Sequence, residues 1–162
     1  MNIAIVYYSM SNNTEFAAQE IATVTDADLI RIEPEKAYPC KGVRKFIWGG
    51  KSAVMKEEPD LLPYEFDAEK YDAVVLGCPV WASSPAPPMR TFIKNNRGAL
   101  SGKKVSAFVC CSGGGAAKAL AKMRAAFGYG RFVSELILID PKDKPSQDKV
   151  RQIRDFAQTV TK

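Results

Sequence analysis

Ile3-Ala4-Ile5-Val6-Tyr7-Tyr8-Ser9-Met10-Ser11-Asn12-Asn13-Thr14 begins as an unbroken apolar run and ends in a cluster of hydroxyl and carboxamide residues. A run apolar at every position reads as a strand covered on both faces, the pattern of a parallel strand between two helical layers. It is too short to cross a membrane and lacks the basic start and small-residue cleavage site of a signal peptide. The expectation is a first strand of a cytoplasmic protein without membrane insertion. A helical pattern of Phe16, Ala17, Ile21 and Val24 follows, so Ser9, Met10, Ser11, Asn12, Asn13 and Thr14 form a strand-to-helix loop.

Such residues cap helices. Three hydroxyls, two carboxamides and a helix N-terminus also replace the hydration of a phosphate. The loop carries no Lys or Arg. A dianionic monophosphate suits it better than a triphosphate, which would call for a glycine-rich turn ending in Gly-Lys-Ser/Thr.

Outward from this stretch, apolar runs recur at Leu29 to Ile32, Ala73 to Leu76, Val105 to Cys110 and Phe132 to Ile139. Between them lie Met89, Phe92 and Ile93, then Leu120, Met123 and Phe127, and a last helical face of Val150, Ile153, Ala157 and Val160. This alternation predicts an α/β fold: a doubly wound three-layer sandwich with a five-stranded parallel sheet and right-handed crossovers. The 162 residues fit a single domain, 1–162. Tyr38 to Pro63 is the irregular part, with a helix expected around Val43 to Lys56, interrupted by Gly49-Gly50.

Two further loops stand at strand ends. Gly77-Cys78-Pro79-Val80-Trp81-Ala82-Ser83-Ser84-Pro85-Ala86-Pro87-Pro88 is stiffened by prolines that suit a first helical turn. It sets Pro79, Val80, Trp81, Ala82 and Ser83 at the carboxyl edge of the sheet, where Trp81 is placed to stack on a flat ring. Cys111-Ser112-Gly113-Gly114-Gly115 ends the fourth run, and its glycines let main chain approach a ligand closely. In the strand order 2-1-3-4-5, the ends of strands one, three and four are neighbours, so the three loops converge on one crevice.

Composition removes other chemistries. There is no histidine, which excludes Ser-His-Asp and Cys-His nucleophilic systems. The four cysteines, Cys40, Cys78, Cys110 and Cys111, have no zinc-type spacing and read as buried, inert thiols. No metal site is expected. The net charge of +5 is read as spread along the chain among acids such as Glu57, Glu58, Asp60, Glu65, Asp67 and Glu69, so no nucleic-acid partner is expected.

With those residues placed, the sequence resembles the flavodoxin family over essentially its whole length. The resemblance rests on Ile5 to Thr14, on Tyr71 to Trp81, on Pro87-Pro88-Met89-Arg90-Thr91-Phe92-Ile93, and on Leu100 to Val105 leading to Phe108 to Gly114. It implies non-covalently bound flavin mononucleotide (FMN), with phosphate on Ser9, Ser11, Asn12, Asn13 and Thr14. The isoalloxazine would lie between Pro79 to Ala82 on one side and Cys111 to Gly114 on the other. It implies an electron-transfer function with a redox partner protein. The alternative is an FMN-dependent reductase taking hydride from a nicotinamide cofactor to a quinone-like small molecule, and a flavin-free interaction domain ranks behind both.

Three departures from the family stand out. Asn12 replaces the usual glycine, which Asn tolerates because it adopts left-handed backbone readily. The chain is basic where carriers are typically acidic. The third loop offers no aromatic for the second flavin face, a role left to Tyr38 or Trp48. In addition, Trp81-Ala82-Ser83-Ser84-Pro85 has no glycine, so a turn needing positive φ is costly there, and two-electron chemistry is the expectation. A monomer or a homodimer is expected.

Overall fold

The computed structural model describes residues 1–39, 57–128 and 131–162. The expected helix around Val43 to Lys56, together with Cys40 and Trp48, lies outside the described residues. Element order is β1 (Ile3–Tyr7), α1 (Asn13–Thr25), β2 (Asp28–Arg31), a single 3-10 turn (Ala68–Lys70), β3 (Ala73–Trp81), β4 (Ser84–Pro85), α2 (Pro87–Asn96), β5 (Lys104–Cys111), α3 (Ala116–Phe127), β6 (Glu135–Ile139) and α4 (Gln147–Val160).

The five long strands are parallel in the spatial order β2-β1-β3-β5-β6, and the two-residue β4 pairs antiparallel to the end of β3. Leaving that short strand aside, this is the expected order 2-1-3-4-5. The alternation of β1 divides the core. Ala4, Val6 and Tyr8 pack on one face with Met89, Phe92 and Ile93 of α2 and Leu120, Met123 and Phe127 of α3. Ile3, Ile5 and Tyr7 pack on the other with Ala17, Ala18 and Ile21 of α1 and Ile153, Phe156 and Val160 of α4.

Central strands are covered on both faces, and the outer two are not. Ile30 is buried in β2 while Leu29 is exposed, and in β6 Leu136 and Leu138 are buried while Ile137 and Ile139 are exposed. The last strand is also shorter than the apolar run: Phe132 packs against Phe127 before the strand begins at Glu135. The buried face of α4 uses Phe156 in place of Val150, which is exposed, as is Val24 of α1.

Between β3 and β5, Gly77 and Phe108 are register partners. A Cβ on Gly77 would come within 2.2 Å of the Phe108 ring. Glycine is required there because the aromatic ring fills the space a side chain would take.

β3 runs on through Pro79, Val80 and Trp81, so these residues are strand and not loop. The chain reverses at Ala82-Ser83 and returns as β4, with Val80 opposite Pro85 and Trp81 opposite Ser84. Pro87 and Pro88 then occupy the first two positions of α2, as their fixed φ favours.

Candidate functional site

The carboxyl ends of β1, β3 and β5 border a cavity of about 280 Å³. Ser11, Asn13 and Thr14 line it at one end, Pro79 to Ala82 on one wall, and Cys110 to Gly114 with Asp140 on the other. Of the residues read from sequence, Ser9, Met10, Asn12 and Ser83 do not line it. Met10 packs on the core, and Ser83 lies against Gly115.

The first loop is organised by its own backbone. Asn12 takes φ 64° in the left-handed region and stands as the N-cap of α1 without a side-chain capping bond. Buried Ser9 does the capping instead, its Oγ accepting from the Glu15 amide at 3.2 Å. Arg31 of β2 braces the loop from outside, donating to the Ser9 carbonyl at 3.1 Å and to Glu15 at 2.8 Å. Amides of the first helical turn have no acceptor within the helix. Those of Asn13 and Thr14 therefore stand at the cavity end with the positive pole of α1 behind them.

The Asn13 side chain has a different task from the one its chemistry suggested. Its Nδ2 donates to Asp143 at 2.7 Å and its Oδ1 accepts from the Lys142 amide at 2.9 Å. It ties the first loop to the segment after β6. Thr14 is buried beside the Cys110 thiol.

Cys110 and Asp140 are cavity residues that the sequence reading passed over. Asp140 follows β6 directly, so the rule that ligands gather at carboxyl strand ends would have found it. It is buried, has φ 41°, accepts from Ser112 Oγ at 2.7 Å, and is paired with Lys144 at 3.0 Å. The Ser112 hydroxyl and the Lys144 ammonium hold its carboxyl below the usual range. Burial pushes the Cys78 and Cys110 thiols up to about 12, and it also raises Cys111. These three cysteines are protonated near neutral pH and free of disulfides, which matches their reading as inert thiols.

The wall at the β3–β4 hairpin is strained. Ala82 and Ser83 have φ of 47° and 57°, the left-handed pair that a tight hairpin turn demands and that Asn-Gly supplies more cheaply. The turn thus adopts the positive φ that its sequence makes costly, at about 1 to 3 kcal/mol per residue. Strand pairing holds it, with the Lys122 ammonium donating to Ser84 Oγ at 2.6 Å. Gly115, at φ 89°, makes room for it: a Cβ there would meet Ser83 Oγ at 2.4 Å. Gly113 and Gly114 are different, because a Cβ on either would meet no protein atom.

Trp81 is half-buried and fixed by two edge-on neighbours, Tyr8 at 5.8 Å and Tyr38 at 5.1 Å between ring centroids. Tyr38 packs against Trp81 and does not line the cavity. Among the described residues no cluster of His, Cys, Asp or Glu could hold a metal ion, and no helix is long and apolar enough to cross a membrane.

Solved structures with this fold include a flavoprotein in complex with FMN from Lactobacillus acidophilus. It is 20% identical, with a TM-score of 0.72 over 93% of this chain and 98% of that one. Two-electron reduced flavodoxin from Megasphaera elsdenii is 18% identical, with a TM-score of 0.62 over 98% of both chains. A flavodoxin from the domain Archaea is 18% identical, with a TM-score of 0.62 over 100% of both. These likenesses concern the fold. No curated protein matches the sequence. A family model described as Flavodoxin matches residues 2–144, which takes in every residue that lines the cavity, and on that match the chain belongs to the flavodoxin family.

Proposed function

We propose that the cavity holds FMN and that the protein passes electrons through it. The observation that carries this reading is the division of the cavity into two chemically different parts. Its end at Ser11, Asn13 and Thr14 offers neutral donors and the start of a helix, which suit a phosphate. Its body is a slot between the Pro79 to Ala82 wall and the open backbone at Gly113 and Gly114, which suits a flat ring. Bound there, the flavin supplies the redox chemistry, and this chain supplies binding, orientation and electrostatics. Trp81, fixed edge-on by Tyr8 and Tyr38, is the aromatic residue on the cavity wall among the described residues.

The family supports a carrier, with a redox partner protein as the other half of the reaction. One observation favours the reductase reading: among the described residues, the wall of Cys111 to Gly114 presents no aromatic ring, leaving that side open to a nicotinamide or quinone-like molecule. The FMN-loaded protein, reduced anaerobically by dithionite, should return its electrons to a protein acceptor and reoxidise without loss of flavin. NAD(P)H oxidation by the FMN-loaded protein at a catalytic rate would select the reductase. Failure of both exchanges would set aside electron transfer altogether.

A further inference from the structure

The net charge of +5 conceals a separation. From Ala73 to Ser134 there are nine Lys and Arg residues and no Asp or Glu, while all 18 acidic residues lie in the rest of the chain. The basic residues are spread along the chain as expected, but in this stretch they do not lie among acids, and that part of the expectation is corrected. The fold gathers part of this acid-free stretch onto one face, because α2 and α3 pack side by side on the same side of the sheet.

Between these helices runs a groove of about 550 Å³ that is separate from the flavin cavity. Arg90, Lys94 and Arg97 border it from α2 and its C-cap, Lys122 borders it from α3, and among the described residues Glu58 is the one acid on its rim. Lys94 is paired with Glu58 at 2.5 Å, and Lys122 donates to the neutral Ser84 hydroxyl. Pro85, Ile93, Ala125 and Ala126 supply apolar surface. Positions 90, 94 and 97 fall on one helical face and extend about 10 Å along the axis. With Lys118 further along α3, the positive field is broader than one small anion would use.

The groove adjoins the flavin cavity through the hairpin. Pro85 of β4 lines the groove, Trp81 and Ala82 line the cavity, and these strands are paired residue to residue. A body seated in the groove would lie beside the strained turn at the cavity wall.

We propose that the α2–α3 groove is the docking surface for an acidic protein partner, its carboxylates on Lys94, Arg97 and Lys122 and its apolar contacts on Pro85, Ile93 and Ala125. The proposal rests on the electron-transfer reading and names the charge of the partner. Charge complementarity is what selects it: an array of this breadth steers an acidic surface by long-range attraction and orients it on contact. Among the described residues no aromatic side chain lines the groove, so these residues offer no platform on which single-stranded nucleic acids stack.

The test is a titration of the full-length ¹⁵N-labelled, FMN-loaded protein with poly-L-glutamate, followed by amide shifts and by affinity at low and high salt. Shifts should map to α2, α3 and the β3–β4 hairpin, and affinity should fall steeply with salt. Lys94→Glu combined with Arg97→Glu should weaken binding on the order of tenfold or more, whereas Arg151→Glu with Arg154→Glu on α4 should change it less than about twofold. Shifts confined to Lys41, Arg44, Lys45, Lys51 and Lys56 would overturn the proposal. So would an unaffected Lys94/Arg97 variant with native circular dichroism, or tighter binding of a DNA oligonucleotide or of NADPH at the same amides. Since binding is read without turnover, absence of electron transfer with intact binding here would count against the proposed function and not against the docking surface.

Discussion

Thr14 lines the cavity and is buried beside the Cys110 thiol of β5. Replacing it by Val keeps the volume and removes a hydroxyl from the phosphate end. The loss of a hydrogen bond to a charged group costs about 1.5 to 3 kcal/mol, so Thr14→Val should weaken FMN roughly ten- to hundredfold in an equilibrium titration, with native circular dichroism retained. An unchanged dissociation constant would remove Thr14 from the site. Asp140 makes a prediction about pH. Its folded carboxyl is held below the usual range by Ser112 and Lys144, so its stabilisation is complete above the unfolded value of about 3.9 and fades as pH falls through the folded one. The stability gap between the wild type and Asp140→Asn should be constant from about pH 6 to 8 and shrink below about pH 4 in urea titrations. A gap that widened on acidification would contradict the assignment. Residue type told correctly where Asn12 bends, since few other side chains accept its backbone, but it did not show what the Ser9 and Asn13 side chains hold. Both carry donors and acceptors suited to a ligand, and only the folded neighbours, the Glu15 amide and residues 142–143, reveal that their side chains are already engaged.

The elements were legible where one rule governed them and obscure where two competed. Apolar runs located the central strands because burial on both faces demands them. β3 was harder: Gly77-Cys78-Pro79 has the composition of a turn, yet the strand continues to Trp81. Pairing of β3 with β5 as far as Pro79, and then with β4, overrides that local signal. Gly77 serves this pairing directly, leaving its space to the Phe108 ring. Gly77→Ala should destabilise the protein by about 1 to 3 kcal/mol, read as a lower urea midpoint with unchanged slope. Combining it with Phe108→Leu should cost less than the sum of the two single changes, because the residues touch. Full additivity would show that the contact is not the cause.

At the scale of the whole molecule, layer order and sheet order followed from the alternation of apolar runs and helical faces. The sidedness of the two edge strands did not, because continuous apolar runs at Leu29 to Ile32 and Phe132 to Ile139 look like covered strands. Exposure of Leu29, Ile137 and Ile139 follows from their places at the sheet margins. The charge separation was present in the primary structure, but it becomes a surface only when α2 and α3 are brought side by side. The same assembly makes the cavity, since Ser11, Trp81, Ser112 and Asp140 lie far apart in the chain and meet at neighbouring strand ends.

The central claim is that this meeting point is an FMN site whose first loop and helix start hold the phosphate. Parallel fluorescence-quenching titrations of the apoprotein with FMN and with riboflavin test it most directly, because the two ligands differ only by the phosphate. Two charge-assisted hydrogen bonds at about 1.5 to 3 kcal/mol each predict that FMN binds at least about a hundredfold more tightly. Riboflavin binding as tight as FMN would contradict the account.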